Sequence, residues 1–251
     1  MGKGLRNFGA TGKMLRIVAA ISIGLTALGV AGAAGARTGA GSYPAMAPVE
    51  QYLMPDRAQE IAQAREAAPP PISDDAEILV LERDGYATAV KGKNGFVCLV
   101  QRAWFSGLND DGFWNPHLRA PICFNPQGAR SVLPAFLERT RWAMAGLSKA
   151  EMIDRTQIEI AAHTFPVPEA GTLTFMMARD AYLNDQVKGP WHPHLMFFVP
   201  RLNAADWGSN LPGSPVMGGD DGIEPWTLFF VPVADWSDGT PDANPPMAHS
   251  M

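Results

Sequence analysis

The chain has 251 residues, of which 47% are hydrophobic and 18% charged, and its formal net charge is −5 at pH 7. This length suits one globular domain with a core large enough to fold without the help of disulfides. An acidic chain without a basic cluster argues against binding to nucleic acid or to anionic lipid headgroups, because both need concentrated lysine and arginine.

The first 36 residues have the pattern of a secretory signal peptide. A run of 20 uncharged residues, 17–36, follows a basic segment, and no acidic residue occurs before Glu50. The basic residues of that segment are Lys3, Arg6, Lys13 and Arg16. Ala34-Gly35-Ala36 has the small-x-small form that signal peptidase accepts, so we expect cleavage after Ala36. The alternative is a retained anchor, since about 20 apolar residues can just span a bilayer.

Cleavage predicts a periplasmic or secreted protein. If the signal segment is not cleaved, it would be the only contact of the protein with the membrane. The signal segment carries four positive charges and no negative ones, so its removal moves the net charge from −5 to −9. The mature chain is therefore expected to be strongly acidic.

Residues 37–71 are predicted to form a flexible extension with one short helix. Gly, Ala, Pro and Ser dominate its first part, which shows little periodicity. Pro55 and Asp56 then begin an alanine-rich segment that predicts a helix over 55–67. The triplet Pro69-Pro70-Pro71 ends this helix because proline has no N–H to donate. We place the domain boundary there, so residues 72–251 are predicted to be a single globular domain.

Three apolar segments after this boundary predict a β-meander. They cover residues 77–81, 86–91 and 96–102. The first turn is predicted at Arg83-Asp84-Gly85. The second is predicted as a tight hairpin at Asn94-Gly95, since both residues tolerate the positive φ of a type I′ turn.

Helices are predicted in the middle of the chain and strands again after it. One helix is expected over residues 134–145, and a second opens on the capping box Ser148-Lys149-Ala150-Glu151. Strands resume at residues 172–178. Strands, helices and then strands predict an α+β domain with a mainly antiparallel sheet of about six strands and two or three helices.

The two cysteines, Cys98 and Cys123, are predicted to form a disulfide. An oxidising compartment favours pairing, and Cys98 lies in an apolar run typical of a strand interior. The alternative is a catalytic thiol, which needs a nearby histidine and a polar setting.

The segment Gly92-Lys93-Asn94-Gly95-Phe96-Val97-Cys98 carries a resemblance. Together with the second cysteine and the helix that contains Trp142-Ala143-Met144-Ala145, it resembles a set of exported bacterial proteins of unassigned function. The resemblance covers about half of the chain after residue 36. It implies export and the disulfide, and it carries over no catalytic residue.

A phrase near the C-terminus occurs twice, 32 positions apart. The copies are Pro193-His194-Leu195-Met196-Phe197-Phe198-Val199-Pro200 and Pro225-Trp226-Thr227-Leu228-Phe229-Phe230-Val231-Pro232. Each is followed by Ala-Asp-Trp, which ends at Trp207 and Trp236 respectively. We interpret the copies as two core strands, each stopped by a proline.

His192 and His194 flank Pro193 in the first copy only. Two histidines two residues apart on a strand project to the same face, which is a geometry that suits zinc or copper. The candidates for a third ligand are His117, His163, Asp206 and Asp220. The alternative is that the pair are ordinary polar residues at a strand entrance, packed against Trp191.

Tryptophans surround the repeated strands and predict a stacking surface for a ligand. The candidates for ligand contact are Trp191, Trp207 and Trp226. The alternative is that they cap the ends of a hydrophobic core.

The sequence therefore favours an exported, non-catalytic domain without a cofactor that binds a small molecule or an envelope component. The alternative function is a metal-dependent enzyme built on His192 and His194.

Overall fold

A computed structural model of the chain describes residues 43–183, 185 and 191–243, so the predicted signal peptide lies outside the described residues. The described part forms an α+β fold around one eight-stranded sheet. The strands are β1 (Glu77–Glu82), β2 (Gly85–Val90), β3 (Val97–Gln101), β4 (Ala120–Phe124), β5 (Leu173–Met176), β6 (His194–Pro200), β7 (Met217–Gly219) and β8 (Trp226–Pro232). The helices are α1 (Arg57–Arg65), α2 (Pro70–Ser73), α3 (Pro126–Ser131), α4 (Leu133–Met144) and α5 (Lys149–Ala161).

The strand order is β2-β1-β3-β4-β5-β6-β8-β7. Every neighbouring pair is antiparallel except β1 and β3, which are parallel. The predicted α+β class and the mainly antiparallel sheet are therefore confirmed.

The predicted numbers of strands and helices are too low. The described residues hold eight strands rather than about six, and five helices rather than two or three. The additional strands are β4, which follows a loop rich in Gly, Asn and Pro, and β7, which has only three residues. The additional helices, α2 and α3, have four and six residues and begin at Pro70 and Pro126. β4 is buried on both faces and so does not alternate, and the other three elements are too short to produce a periodic pattern.

The predicted hairpin at Asn94-Gly95 is wrong. β2 pairs with β1 through the preceding turn, and β3 pairs with the other edge of β1 in parallel. The Asn94 side chain donates to the carbonyl oxygen of Ile72 at 2.7 Å. Gly92 lies so close to the backbone of Glu77 that a side chain would collide with it. These contacts lead the chain across the end of β1 to its far side.

Residues 43–71, which the sequence predicts as a flexible extension, contact the sheet in the structure. The predicted helix is present as α1, but it lies against β1, β3 and β4. Glu60 of α1 forms a buried ion pair with Arg102 at 2.8 Å. Arg102 Nε also donates to the carbonyl oxygen of Tyr52 at 2.7 Å, and the Tyr52 side chain is fully buried. This segment was predicted to be flexible from its composition, which gives no sign of a buried charge pair.

The two faces of the sheet carry separate hydrophobic clusters, because successive residues of a strand point to opposite faces. On one face, which we call the α4 face, Leu99 and Ile122 belong to the same cluster as Phe136 of α4. On the other, the α1 face, Ile78 clusters with Ala64 of α1 and with both cysteines. Helices thus cover part of the sheet on each side.

Cys98 and Cys123 are directly opposite each other in β3 and β4 and are joined as a disulfide, as predicted. Both residues are fully buried on the α1 face. Among the residues that the structure describes, no helix is long and apolar enough to cross a membrane.

Candidate functional site

The two copies of the repeated phrase form β6 and β8 and pair with each other. Phe197 pairs with Phe229, its own counterpart in the other copy, and the register runs outward from this pair to His194↔Pro232 and Pro200↔Trp226. The copies are therefore related by a local twofold axis through the Phe197–Phe229 pair. The prediction that both copies are strands holds.

This register places one set of alternating side chains on the α4 face. The set consists of His194, Met196 and Phe198 from β6 and Leu228, Phe230 and Pro232 from β8. These six side chains form the floor of a cavity of about 440 Å³. Ligand pockets commonly measure about 300–1,000 Å³.

The remaining walls come from distant parts of the chain. Met176 of β5 and Ile122 of β4 continue the apolar floor, and Phe136 of α4 forms one side. The Phe136 ring packs against Phe198 and Trp226, with ring centroids 6.3 and 5.6 Å apart. The other lining residues are Gln101, Phe105, Ser106, Gly107, Asp110, Leu183, Trp191, His192 and Met217. The cavity is therefore mainly apolar, with a few polar groups.

Both predicted histidines line this cavity. His194 Nδ1 donates to the carbonyl oxygen of His192 at 2.9 Å, and its ring packs edge-on against Trp191 at 4.5 Å. Burial lowers the pKa of His194, and the nearby His192 ring lowers it further. The Nε2 atom of His194 is buried without a hydrogen-bond partner.

His192 forms a pair with a carboxylate. Its Nδ1 lies 2.6 Å from Oδ2 of Asp242, whose side chain is almost completely buried. Such a partner fixes the orientation of an imidazole. About a third of the His192 side chain is exposed, so this ring lies between the cavity and solvent.

The structure does not bring the predicted third metal ligands to these histidines. His117, His163, Asp206 and Asp220 are exposed and do not line the cavity. The described residues contain no group of three His, Cys, Asp or Glu side chains that could hold a metal ion.

The three predicted tryptophans occupy three different settings. Trp191 lines the cavity, and its indole N–H donates to the carbonyl oxygen of Ala178 at 2.8 Å. Trp226 is buried beside Phe136. Trp207 stacks in parallel on Phe229, with ring centroids 4.7 Å apart, on the opposite face of the sheet. Among these three, Trp191 alone lines the cavity.

A smaller cavity of about 110 Å³ adjoins the larger one and ends at polar side chains. The two share Phe105, Ser106, Gly107, Phe136, Phe198 and Leu228 as walls. Glu224, Asp220 and Asp221 line the smaller cavity, and Glu224 forms a buried ion pair with Arg139 of α4. Sequence reasoning missed Arg139 and Glu224, because they are 85 positions apart and neither belongs to a local motif.

A larger groove of about 930 Å³ lies between residues 43–49 and the start of α5. Trp114 and Leu147 also line this groove, together with Lys149 and Glu151. The cavity on the α4 face is mainly apolar and contains both predicted histidines, so it is the stronger candidate site.

Comparison of the chain with protein-family models, with curated proteins and with solved structures gives no match.

Proposed function

We propose that this protein is an exported, non-catalytic binding protein for a small, mainly apolar molecule. The observation that supports this most is the cavity of about 440 Å³ on the α4 face. An apolar cavity with a few polar groups at its edges is the usual form of a small-molecule site. Export is supported by the disulfide, because disulfides persist in oxidising compartments.

The cavity offers one continuous apolar wall. Met196 and Phe198 are buried on its floor, and Phe230 and Leu228 are partly exposed. A ligand that covers these side chains gains the free energy of removing them from water, about 25 cal/mol per Å² of apolar surface. Trp191 and His192 provide polar and aromatic contacts at one side of the same space.

The test uses the neutral apolar fluorophore N-phenylnaphthylamine with the purified, untagged protein. We expect saturable binding of one molecule, detected as a rise in its fluorescence. Met196→Trp adds a large ring on the floor of the cavity and should weaken binding about tenfold or more. Calorimetric unfolding of the variant shows whether the fold is retained.

The matched control is Phe197→Trp, which introduces the same side chain one residue later. Because neighbouring residues of a strand point to opposite faces, this ring lies outside the cavity. The control should bind the fluorophore as the wild type does. Unchanged binding by a folded Met196→Trp variant would place the fluorophore elsewhere and overturn the proposal.

A metal-dependent enzyme built on His192 and His194 is the second candidate. One observation favours it: each ring has an oxygen partner on Nδ1, Asp242 for His192 and a backbone carbonyl for His194. Metal-binding histidines generally have such a partner on the nitrogen that does not face the metal. Stoichiometric zinc or copper in untagged protein, lost in the double variant His192→Asn/His194→Asn, would establish this candidate. Untagged protein that takes up neither metal on dialysis would eliminate it.

A further inference from the structure

Unpaired polar atoms cluster beside the smaller cavity. Among the described residues, Arg139 Nε, Glu224 Oε2 and Asp221 Oδ2 are buried without a hydrogen-bond partner. The side chains of Arg139 and Glu224 are only 1% and 6% exposed. Buried polar groups in folded proteins are nearly always hydrogen-bonded, so three such atoms in one place call for an explanation.

The other atoms of the same groups are fully engaged. Glu224 Oε1 accepts from Arg139, whose Nη1 donates to the carbonyl oxygens of Trp104 and Ser106 at 3.1 and 3.3 Å. Asp221 Oδ1 accepts from the backbone N–H groups of Ile223 and Glu224, each at 2.9 Å. The carboxylates are thus held in place, and each retains one oxygen that can accept a hydrogen bond.

The charge of the two cavities is negative. The charged residues that line them are Asp110, Asp220, Asp221 and Glu224, and no lysine or arginine is among their described lining residues. Burial lowers the pKa of Arg139 to about 10, so its guanidinium stays charged at neutral pH and balances Glu224. Of the other three carboxylates, Asp110 and Asp220 are exposed, and Asp221 is the one with a buried, unpaired oxygen.

We propose that the ligand is an amphipathic primary amine whose apolar part fills the larger cavity and whose ammonium group enters the smaller one. There the ammonium donates to Glu224 Oε2 and Asp221 Oδ2. An ammonium group supplies three N–H donors and one positive charge, which match two unpaired acceptors and the carboxylate charge of Asp221. Arg139, which lines neither cavity, is assigned no ligand contact. This inference rests on the proposed binding function.

The first test compares four ligands that share an octyl chain: octylammonium, octyltrimethylammonium, n-octanol and octanoate. Calorimetric titration of the untagged protein should give the tightest binding for octylammonium, about tenfold tighter than octanol or the trimethyl compound. The trimethyl compound has the charge without N–H donors, and octanol has a donor without the charge. Octanoate should bind most weakly, because it meets only carboxylates.

The outcomes separate this inference from the binding function on which it rests. Equal affinity for octylammonium and octanol would mean that water satisfies the unpaired oxygens; it would overturn the amine proposal and leave the binding function supported. Failure of all four ligands and of N-phenylnaphthylamine to bind would overturn both.

The second test uses two isosteric variants, Glu224→Gln and Asp221→Asn. Each retains the engaged oxygen and replaces the unpaired one with an NH₂ group, so the contacts with Arg139 and with the backbone stay possible. Octylammonium affinity should fall about tenfold in each, while octanol affinity stays unchanged and shows that the cavity is intact. If Glu224→Gln fails to fold, Asp221→Asn still decides the matter.

The control is Asp206→Asn. Asp206 is exposed and is not among the described residues that line either cavity. A water-exposed carboxylate is screened, so this variant should change octylammonium affinity less than about twofold. Equal losses of affinity in Asp206→Asn and Asp221→Asn would show that net charge alone causes the effect, and would overturn the assignment of the ammonium to the buried oxygens.

Discussion

The imidazole of His194 is surrounded by aromatic rings rather than by water. Trp191 and Phe230 pack edge-on against it, with ring centroids 4.5 and 5.6 Å away. Its Nδ1 must carry a proton, because its partner is the carbonyl oxygen of His192, which can only accept. A second proton would therefore go to Nε2, which is buried without a partner, and burial lowers the pKa of His194 for this reason.

This setting predicts that His194 reduces stability at acidic pH. The unfolded histidine has a pKa of about 6.5, and the folded one lies below it. Above about pH 6.5 this ring is neutral in both the folded and the unfolded chain, so its contribution to the free energy of unfolding is fully present. As the pH falls from there towards the folded pKa, the unfolded chain takes up a proton that the folded chain does not, so the free energy of unfolding decreases.

The measurement is urea unfolding at a series of pH values from about 7.5 down to about 5. His194→Asn is the comparison, because its amide can still donate to the His192 carbonyl oxygen but does not titrate. The wild type should lose more stability over this range than the variant. His192 and its partner Asp242 are present in both proteins, so the comparison reports the loss of the His194 ring together with its interaction with His192. Parallel pH profiles would contradict the prediction.

At the scale of elements, two of the ion pairs that α1 forms with the rest of the fold differ in their burial. Glu60 pairs with Arg102 where both side chains are essentially buried, at 2% and 0% exposed. Arg57 pairs with Glu82 of β1 at the surface, where both are about half exposed. A buried charge that loses its partner is far more costly than an exposed one. The two pairs join the same helix to the fold and so allow a direct comparison.

We predict that Glu60→Ala lowers the free energy of unfolding by about 3–5 kcal/mol, because it leaves the Arg102 guanidinium buried without a counter-charge. It also removes the acceptor for the backbone N–H of Leu81. Glu82→Ala, at the surface pair, should cost less than about 1 kcal/mol. Urea unfolding of both variants provides the measurement. Similar losses would mean that the buried position of the Glu60–Arg102 pair does not govern how α1 is held.

The elements predicted correctly from the sequence are those with local signals. The capping box at Ser148 begins α5 as expected. Apolar runs also predicted most strands. Strand partners were not predictable in this way, because the parallel pairing of β1 with β3 depends on contacts of Gly92 and Asn94 with distant backbone.

The repeat shows that the face of the sheet on which a side chain lies determines whether it can contact the cavity. The sequence predicted both copies as strands, and it grouped Trp207 with Trp226 as candidate ligand contacts. In the paired strands Trp226 shares the face of Leu228 and Phe230, whereas Trp207 packs on Phe229 of the opposite face. A pattern of single residues cannot place a tryptophan that follows a strand on one face or the other.

At the scale of the whole molecule, the candidate site is assembled by the order of the strands. The sequence singled out Trp191, His192 and His194, which all line the cavity. Its floor also needs β4 and β5, and its polar end needs Arg139 and Glu224, which no local pattern connects. The order of the strands in the sheet brings these segments together, and no local pattern reveals that order. The sequence therefore predicted the residues on one side of the cavity, but neither the rest of its floor nor its charged end.

The disulfide acts on the same whole-molecule scale, because it restricts the unfolded chain. It joins β3 to β4 across 25 positions. In the chain-entropy model, a cross-link that closes a loop of this length stabilises the fold by about 3 kcal/mol, because it lowers the entropy of the unfolded chain. The cross-link is fully buried among residues of the α1 face, so a reductant reaches it only when the chain opens.

We predict that the protein refolds after reduction in denaturant, since a core of this size does not require a disulfide. The reduced protein should have a free energy of unfolding about 3 kcal/mol lower, and a Tm roughly 6–12 °C lower, than the oxidised protein. Urea unfolding and calorimetry of the two forms provide the measurement, and the double variant Cys98→Ala/Cys123→Ala should resemble the reduced form. Equal stability of the oxidised and reduced forms would show that β3 and β4 remain close together in the unfolded chain even without the cross-link, so that the bond removes little entropy from it.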